Sequence, residues 1–577
     1  PNSIMIGANM PSPILLGRSY LGGHKVHDVG YGGRVNKVQN PYSFGAFVLS
    51  ACAPIAMIEA VQADFTTVGW TGNAATGYYN GFLYKDTQLG EIPEPDALQP
   101  QWAGAPGWGA AHKLSGYAAV GLSAKFDKDG KVFASGEPQW GFIGRGVLAY
   151  DWRKDSTFPG GSGAHRLNDR ETWEWTENPA LIAAQYALGW WVNGKKQGGV
   201  GIDFDGLYIE QWTAFANVCD ANNWKVGGII YEPGNRWENL VRICDVGSAR
   251  PYFEGHRLGV YFDAPRVAID TITIDDLADD ETTVTIGRTY RERINTIVPK
   301  FRSEAHKWEY VASNDVTIEQ LVIDDGEEKR EEVTFELCQN KEQAAQLAAY
   351  ELLNRREIGP IEIVCKPRLR NYSAGDMMLF DMPGSVLNGM DAVIISPPRI
   401  DPETGKVSLT LMGDTPGKHD YALGRTGIAP PVPALLDAEE RDELAASVTE
   451  SATEAQQLIT TSSQMPTPIS ITATGGNIPI ADHNRNYSDK IVAVTGDAIP
   501  YSTENQQLYF YYDDENRAGG AVGWVATTVF DDAQNSAANP YRHYGGNVRT
   551  PTAGGSSSGG GSLPPGTGGT NPYQDAA

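Results

Sequence analysis

The segment GGVGIDFDGLYIEQW, residues 198–212, contains two aspartates at the end of an apolar run. It supports two interpretations. Asp203 and Asp205 flank a single Phe, and Glu210 follows a little later. At the end of a barrel strand, two carboxylates would supply the acid and the nucleophile or base of glycoside hydrolysis. At the start of a helix, the same acids would accept hydrogen bonds from free backbone N–H groups. The choice decides between a barrel enzyme and an α+β domain.

The spacing of the three carboxylates favours the helix. A chitinase-type DxDxE pattern would put its glutamate where this chain has Leu207, so Glu210 comes too late. The chain also lacks the alternating strand–helix units that a barrel needs. We therefore predict that Asp205 or Gly206 is the N-cap of a helix over 207–222, where an acid opposes the helix dipole.

Composition and charge argue against several classes of protein. The chain has 577 residues, a length that suits about four domains of ordinary size. Hydrophobic residues make up 41%, and 65 Gly with 35 Pro suit a β-rich, loop-rich protein. The net charge of −25 argues against binding along a nucleic-acid backbone or on an anionic membrane surface. No apolar run is long enough for a transmembrane helix, so we expect no stable membrane span.

Cysteine and histidine spacing predicts neither disulfides nor a metal centre. Five cysteines lie far apart without a CxxC pair, which is typical of buried free thiols: Cys52, Cys219, Cys244, Cys338 and Cys365. His24 and His27 lie three residues apart without further ligands nearby, which disfavours a metal site. The acidic run 269–282 lacks the Gly and Glu that a calcium loop starting at Asp270 needs, and predicts a solvated turn. We expect no catalytic residue, cofactor or metal site.

The amino-acid composition changes several times along the chain, and these changes predict a mixed α+β, β-dominated, multi-domain protein. Its predicted segments are a β-rich domain over 1–165, an α+β domain over 166–265, a β-rich domain with one inserted helix over 266–425, a Pro-rich linker and short helix over 426–464, a small β-rich module over 465–550, and a flexible Gly/Ser/Pro tail over 551–577.

Local patterns place individual helices and turns. Asn178 and Pro179 predict an N-cap and a first helical residue. Two more helices are predicted from apolar faces at helical spacing: Ile209, Trp212, Ala216 and Cys219 in one, and Trp237, Leu240, Val241 and Cys244, with Gly247 as C-cap, in the other. A helix capped by Asn340, a strand–turn–strand over 136–153 and a hairpin turn at 401–406 are also expected.

A short apolar seam follows the Pro-rich linker. Its members recur at a spacing of three to four residues: Leu444, Val448, Ala452, Ala455 and Ile459. A lone amphipathic helix docked on the body and a short oligomeric coiled coil both fit this pattern.

The module over 465–550 is rich in aromatic residues that alternate with polar ones. Five of them are candidates for contact with a glycan or a partner: Tyr509, Tyr511, Trp524, Tyr541 and Tyr544. Such rows also arise from cross-strand packing alone. Both interpretations stay open at the level of sequence.

The order of several stretches resembles one family. They are ILLGRSYLGGHKV (14–26), GRGVLAYDWR (144–153), NPALIAAQYAL (178–188), the pair 209–223 and 235–262, and finally RINTIVPKF (293–301) with the helix at 341–357 and YSAGDMMLF (372–380). Over about residues 1–425, the chain resembles the central tail hub or tip attachment proteins of long-tailed bacteriophages. That family includes the lambda host-specificity protein and the hub of gene transfer agents.

The resemblance implies a structural virion protein rather than an enzyme. It implies a homotrimeric, β-rich ring at the distal end of a tail tube, made in the host cytoplasm. Its expected partners are distal tail and tail-tube proteins, other tip or fibre proteins, a host receptor or glycan, and DNA in transit. Two alternatives remain: a carbohydrate-binding attachment protein acting through 465–550, and a cell-wall glycosidase using Asp203, Asp205 or Glu210.

Overall fold

The computed structural model describes residues 4–6, 11–35, 37–128, 131–133, 136–192, 194–232, 234–278, 282–432, 470–473, 476–487, 490–536, 538–551 and 557–560. The chain separates into two compact units, Pro1–Glu440 and Arg441–Ala577. Strands outnumber helices throughout, and the predicted mixed α+β, β-dominated fold class is confirmed.

Two sheets of the first unit share an apolar core. The larger has seven strands in the spatial order Met5–Ile6, His24–Tyr31, Tyr42–Ser50, Ala118–Lys125, Leu83–Leu89, Ala74–Ala75 and Trp70–Thr71. The smaller has Glu174–Trp175, Trp140–Ala149, Ile55–Ala63 and Thr66–Thr67, with Arg18–Leu21 also paired to Trp140–Ala149. Phe47 and Leu122 of the larger sheet belong to one buried cluster with Val61 and Phe142 of the smaller.

The remaining strands of the first unit form two further sheets and several short pairs. One sheet has the order Asp270–Thr273, Met377–Asp381, Asp391–Ile394, Val407–Gly413, Ile361–Cys365 and Thr283–Val284, with Arg399–Ile400 beside Val407–Gly413. In the other, Thr296–Ser303 pairs with Glu309–Ala312, Val316–Thr317 and Arg330–Thr334. The short pairs are Ser12–Leu16 with Gly228–Glu232, Trp190–Val192 with Lys195–Gly198, Ala249–Glu254 with Arg257–Phe262, and Arg34–Val35 with Val38–Gln39.

Six α-helices lie within the described part of the first unit. They are α1 (Pro179–Leu188), α2 (Ile209–Ala221), α3 (Arg236–Asp245), α4 (Glu319–Asp325), α5 (Lys341–Asn354) and α6 (Lys418–Leu423). The predicted N-caps of α1 and α5 are confirmed, because the Asn178 and Asn340 side chains each accept two backbone N–H groups at the helix start.

One large core joins most of these helices to neighbouring strands. It contains Ala183 of α1, Trp212 of α2 and Leu240 of α3, together with Ile14 and Ile297 from strands distant in sequence. All ten residues of α1 are buried. An all-buried helix is the expected result when packing surrounds it on every side.

The five cysteines are buried free thiols, as their spacing predicts. Burial raises the pKa of the Cys338 and Cys365 thiols to about 12. These side chains therefore stay protonated and serve as small apolar groups in the core.

The predicted strand–turn–strand over 136–153 is wrong. Trp140–Ala149 is one continuous strand with a register shift between Ile143 and Gly144. Its glycines mark close approaches rather than a turn. A Cβ on Gly141 would lie 2.0 Å from the Tyr20 hydroxyl, and one on Gly146 would lie 2.0 Å from the Leu15 carbonyl oxygen. Only glycine leaves room for the neighbouring strand at these positions.

One predicted inward-facing residue of α3 points the other way. Leu240 and Cys244 are buried as expected, but Trp237 is 40% exposed and stacks on Phe253 with ring centroids 5.4 Å apart. The helix begins at Arg236, so Trp237 lies in its first turn, where the hairpin strand Ala249–Glu254 supplies a partner at the surface.

The hairpin turn predicted at 401–406 is confirmed. It joins Arg399–Ile400 to Val407–Gly413. The Asp401 carboxylate accepts the Glu403 backbone N–H at 2.9 Å and the Thr404 hydroxyl. Asp401 thus fixes the turn through its own side chain, as acidic turn residues commonly do.

The second unit is built from strands. Five form one sheet in the order Ser470–Ala473, Ser557–Gly560, Arg542–Arg549, Gln507–Asp513 and Val525–Thr527. His483–Asn486, Ile491–Thr495 and Gly520–Ala521 form another, and Asn477–Pro479 pairs with Ala498–Pro500. Leu508, Phe510 and Val548 of the first sheet enclose a core with Ile478 and Ile480.

We expect Gly146→Ala to destabilise the first unit by about 3 kcal/mol, because the new methyl group has no space beside the Leu15 carbonyl. Gly287→Ala is the control, since a Cβ there meets nothing within 4 Å. Urea unfolding followed by circular dichroism measures both variants. Equal midpoints for the two would contradict the close approach.

Candidate functional site

The three carboxylates of the 198–212 segment are all exposed. Phe204–Gly206 forms a single 3-10 turn, after which Leu207 is extended and forms a bridge to Leu258. The helix therefore starts only at Ile209, with Tyr208 as its N-cap and no side-chain capping bond. The prediction that Asp205 or Gly206 caps this helix is wrong, because the bridge to Leu258 delays the helix start.

The apolar face predicted for α2 is confirmed. Trp212, Ala216 and Cys219 are fully buried, and Ile209 is partly buried. The Trp212 indole donates to the Leu258 carbonyl at 3.1 Å. The segment thus anchors a helix in the large core, while its acids face solvent.

We expect Asn178→Ala to lower the free energy of unfolding by about 2 kcal/mol, because a buried cap is lost. The Asn178 amide also donates to the Ala216 carbonyl at 2.9 Å and to Asp220 at 2.7 Å. Asp205→Asn is the control and should change stability by less than about 0.5 kcal/mol. Thermal unfolding compares the stability of the two variants. A larger loss of stability for Asp205→Asn would indicate that Asp205 caps the helix after all.

The acidic run 269–282 is not simply a solvated turn in its described part, which corrects that prediction. Arg368 donates to both oxygens of Asp276, at 2.8 and 2.9 Å, and also pairs with Asp270. The Arg368 guanidinium holds the pKa of Asp276 at about 2. These acids therefore tie two parts of the chain together. Among the residues the structure describes, no three His, Cys, Asp or Glu side chains converge as metal ligands would.

The five aromatic candidates of the second unit lie on different sides of its sheet. Along Gln507–Asp513, Leu508, Phe510 and Tyr512 are buried, so Tyr509 and Tyr511 face the opposite side. We call that opposite side the outer face. Tyr544 lies on it too, since it pairs with Tyr511 in the ladder. Tyr541 precedes the strand Arg542–Arg549 and is half-buried.

Trp524 belongs to the inner side instead. Its ring meets Tyr512 edge to face at 4.9 Å, and a Cβ on Gly545 would lie 2.1 Å from it. It packs against the buried apolar cluster of this unit. Alternation along a strand cannot place this residue, because Trp524 immediately precedes the short strand Val525–Thr527.

Phe530 completes the outer face and was missed from the sequence. Its ring lies 5.2 Å from that of Tyr509 and 5.8 Å from that of Tyr544. Phe530 follows a short strand without any periodic pattern, so no sequence signal ties it to either tyrosine. Burial raises the pKa of the Tyr544 phenol to about 12, which keeps this hydroxyl protonated and able to donate.

A buried polar cluster lies behind this sheet. His543 and Arg485 are each 2% exposed, and the Tyr487 hydroxyl lies 3.1 Å from His543 Nε2. The Arg485 guanidinium donates to the Tyr544 carbonyl at 2.6 Å. Burial, followed by the nearby Arg485 charge, lowers the pKa of His543 to about 4. His543 is therefore neutral at neutral pH.

We expect the second unit to lose stability as the pH falls from about 6.5 to about 4. In the unfolded chain the imidazole takes up a proton near pH 6.5, whereas in the folded unit it does so only near its lower pKa. Between these two pH values protonation stabilises the unfolded state relative to the folded one. The full difference corresponds to about 3 kcal/mol. Hydrogen exchange in Gln507–Asp513, corrected for intrinsic rates, measures it.

His543→Phe should flatten this pH dependence, whereas the exposed His256→Asn should leave it unchanged. Selective carbon-13 labelling of histidine gives the apparent pKa directly by nuclear magnetic resonance. A His543 resonance that titrates near pH 6.5 would contradict the argument.

A separate cleft of about 250 Å³ lies on the larger sheet of the first unit. Tyr42, Phe47 and Trp140 line it. Lys25 pairs with Asp28 at 2.7 Å and with Glu137 at 3.4 Å, and both carboxylates belong to its lining. Sequence reasoning did not find this cleft, because its walls come from segments about a hundred residues apart.

The predicted seam of Leu444, Val448, Ala452, Ala455 and Ile459 lies outside the described residues.

Among the described residues, no helix is both long enough and apolar enough to cross a bilayer.

No protein-family model and no curated protein matches the chain. Among solved structures, it is similar to a chain of the virion of a native gene transfer agent particle, with 15% identity and a TM-score of 0.46, covering 75% of this chain and 89% of that one. It is also similar to a tail protein from Neisseria meningitidis MC58, with 11% identity and a TM-score of 0.27, covering 71% and 98%.

A third similar structure is the 43 kDa tail protein of prophage MuSo2 from Shewanella oneidensis, with 9% identity and a TM-score of 0.25, covering 71% of this chain and 96% of that one. All three identities are low, and all three TM-scores lie below 0.5.

Proposed function

We propose that this chain is a structural virion protein, the hub at the distal tip of a phage-like tail. It acts by assembly and by opening after host contact, and not by covalent catalysis. It forms a homotrimeric ring that links the tail tube to other tip or fibre proteins. A net charge of −25 suits passage of DNA, because an acidic surface does not retain phosphates.

The observation that carries this proposal is that most of the family-like stretches contribute to one core. Residues from five of them belong to a single buried cluster: Leu16, Trp152, Ala183, Phe215 and Leu240. Phe301 of RINTIVPKF and Ala345 of the helix at 341–357 belong to the same cluster, whereas Met378 and Phe380 of the stretch 372–380 belong to a separate one. The resemblance therefore follows a packed structural unit and not a set of scattered, unrelated segments.

The subdivision of the chain at residues 165, 265, 425, 464 and 550 stays a prediction. The large core takes residues from the first three predicted segments, among them Ile14, Trp212 and Ile297. We propose that these three segments together build the ring.

We expect the purified chain to form a particle of three 62.5 kDa copies. Light scattering after size-exclusion chromatography measures the mass. Antibody labelling of virions in electron micrographs should place the protein at the tail tip. A stable monomer that never joins a tail would overturn the proposal.

The seam over 444–459 is proposed as one trimer contact. Ala452→Asp puts a charge on the seam and should weaken the trimer, whereas Ala446→Asp lies off the seam and should not. If both variants had the same particle mass, the seam would not be a trimer contact, and other surfaces would have to form the trimer.

The glycosidase alternative makes an opposite prediction. It requires turnover of peptidoglycan or chitin that Asp205→Asn abolishes. We expect no turnover by either the parent chain or the variant, since all three carboxylates are exposed and Leu207 occupies the glutamate position of the DxDxE pattern.

A further inference from the structure

We propose that the outer face of the five-stranded sheet in the second unit binds an uncharged carbohydrate. The contact residues are Tyr509, Phe530 and Tyr544, with Gln507 and Asn547 beside them. This binding role does not depend on the hub function, because it concerns the second unit alone.

The aromatic part of this face is a compact group of rings. Phe530 lies between Tyr509 and Tyr544, with centroids 5.2 and 5.8 Å away. All three side chains are partly exposed, whereas the alternate residues Leu508, Phe510 and Tyr512 of the strand Gln507–Asp513 are buried. Ring faces of this kind pack on apolar C–H surfaces while a phenol hydroxyl stays available for hydrogen bonding.

A row of polar groups runs beside the rings. The Gln507 amide donates to the Asn547 side-chain oxygen at 3.1 Å, and the Asn547 amide donates to the Tyr544 hydroxyl at 2.9 Å. Because the Tyr544 hydroxyl accepts this bond, it keeps its own proton as a donor. The row holds the polar groups in fixed positions next to the rings, which lowers the entropy cost of binding.

One end of the face is closed by an ion pair. Arg542 lies 4.0 Å from the centroid of the Tyr511 ring and donates to Asp513 at 2.9 and 3.0 Å. Tyr511 is therefore covered on one side and forms the edge of the site, not its stacking surface. Asp513 also neutralises the arginine charge.

These features together favour a carbohydrate over other ligands. A pyranose ring presents C–H groups on its faces and hydroxyl groups around its edge, which matches rings flanked by amides and a phenol. An anionic polymer would require a row of cations along the face, whereas Arg542 is paired with Asp513 and the only other charged base of the strand Arg542–Arg549 is Arg549, at its far end. We infer that one sugar ring stacks on Tyr509 or Phe530 while its hydroxyls bond to Tyr544 and Asn547.

The test uses the full chain on an array of neutral hexose and hexosamine oligosaccharides, followed by calorimetric titration of the best binder. We expect Tyr509→Ala and Phe530→Ala each to weaken binding about tenfold or more, by loss of the stacking surface. Tyr509→Phe keeps the ring and should stay within about threefold of the parent chain.

Tyr290→Ala is the matched control, since Tyr290 is an exposed tyrosine of the first unit, and it should not change the affinity. Hydrogen exchange in Gln507–Asp513 confirms that the second unit still folds in each variant. The absence of any binder at millimolar concentrations would overturn the proposal. So would a binder whose affinity Tyr509→Ala and Tyr290→Ala change equally, because the sugar would then bind elsewhere.

Discussion

The first unit depends on the close approach between the strand Trp140–Ala149 and the segment around residues 12–21. Gly141 and Gly146 make this approach possible, because a Cβ at either position would overlap Tyr20 or the Leu15 backbone. The same segment pairs through Ser12–Leu16 with Gly228–Glu232, next to the helices. It therefore connects the sheets to the large helical core.

A buried arginine extends this connection to the following part of the chain. Arg302 is 6% exposed and donates to the Ser19 hydroxyl at 2.8 Å, the Tyr20 carbonyl at 2.9 Å and the Trp308 carbonyl at 3.0 Å. Tyr20 also stacks on Trp308. A buried cation is tolerated only when its donors are satisfied. These contacts therefore fix the strand Thr296–Ser303 against the segment around residues 12–21.

The second unit uses the two faces of one sheet differently. Behind the sheet, Arg485, Tyr487 and His543 form a buried polar cluster that favours neutral histidine. On the outer face, rings and amides remain partly exposed. We expect the inner cluster to make the sheet sensitive to acid, because the buried His543 resists protonation.

The sequence by itself determined the elements whose cause is local. Asn178 and Asn340 cap their helices, because a cap depends on near neighbours. Only the tertiary structure decided that α2 starts late, at Ile209, and that Trp237 stacks on Phe253 at the surface. It also decided that Phe530 lies on the outer face and that Trp524 does not. Each of these depends on a partner that is remote in sequence or on a loop without periodicity, and local patterns carry no information about such partners.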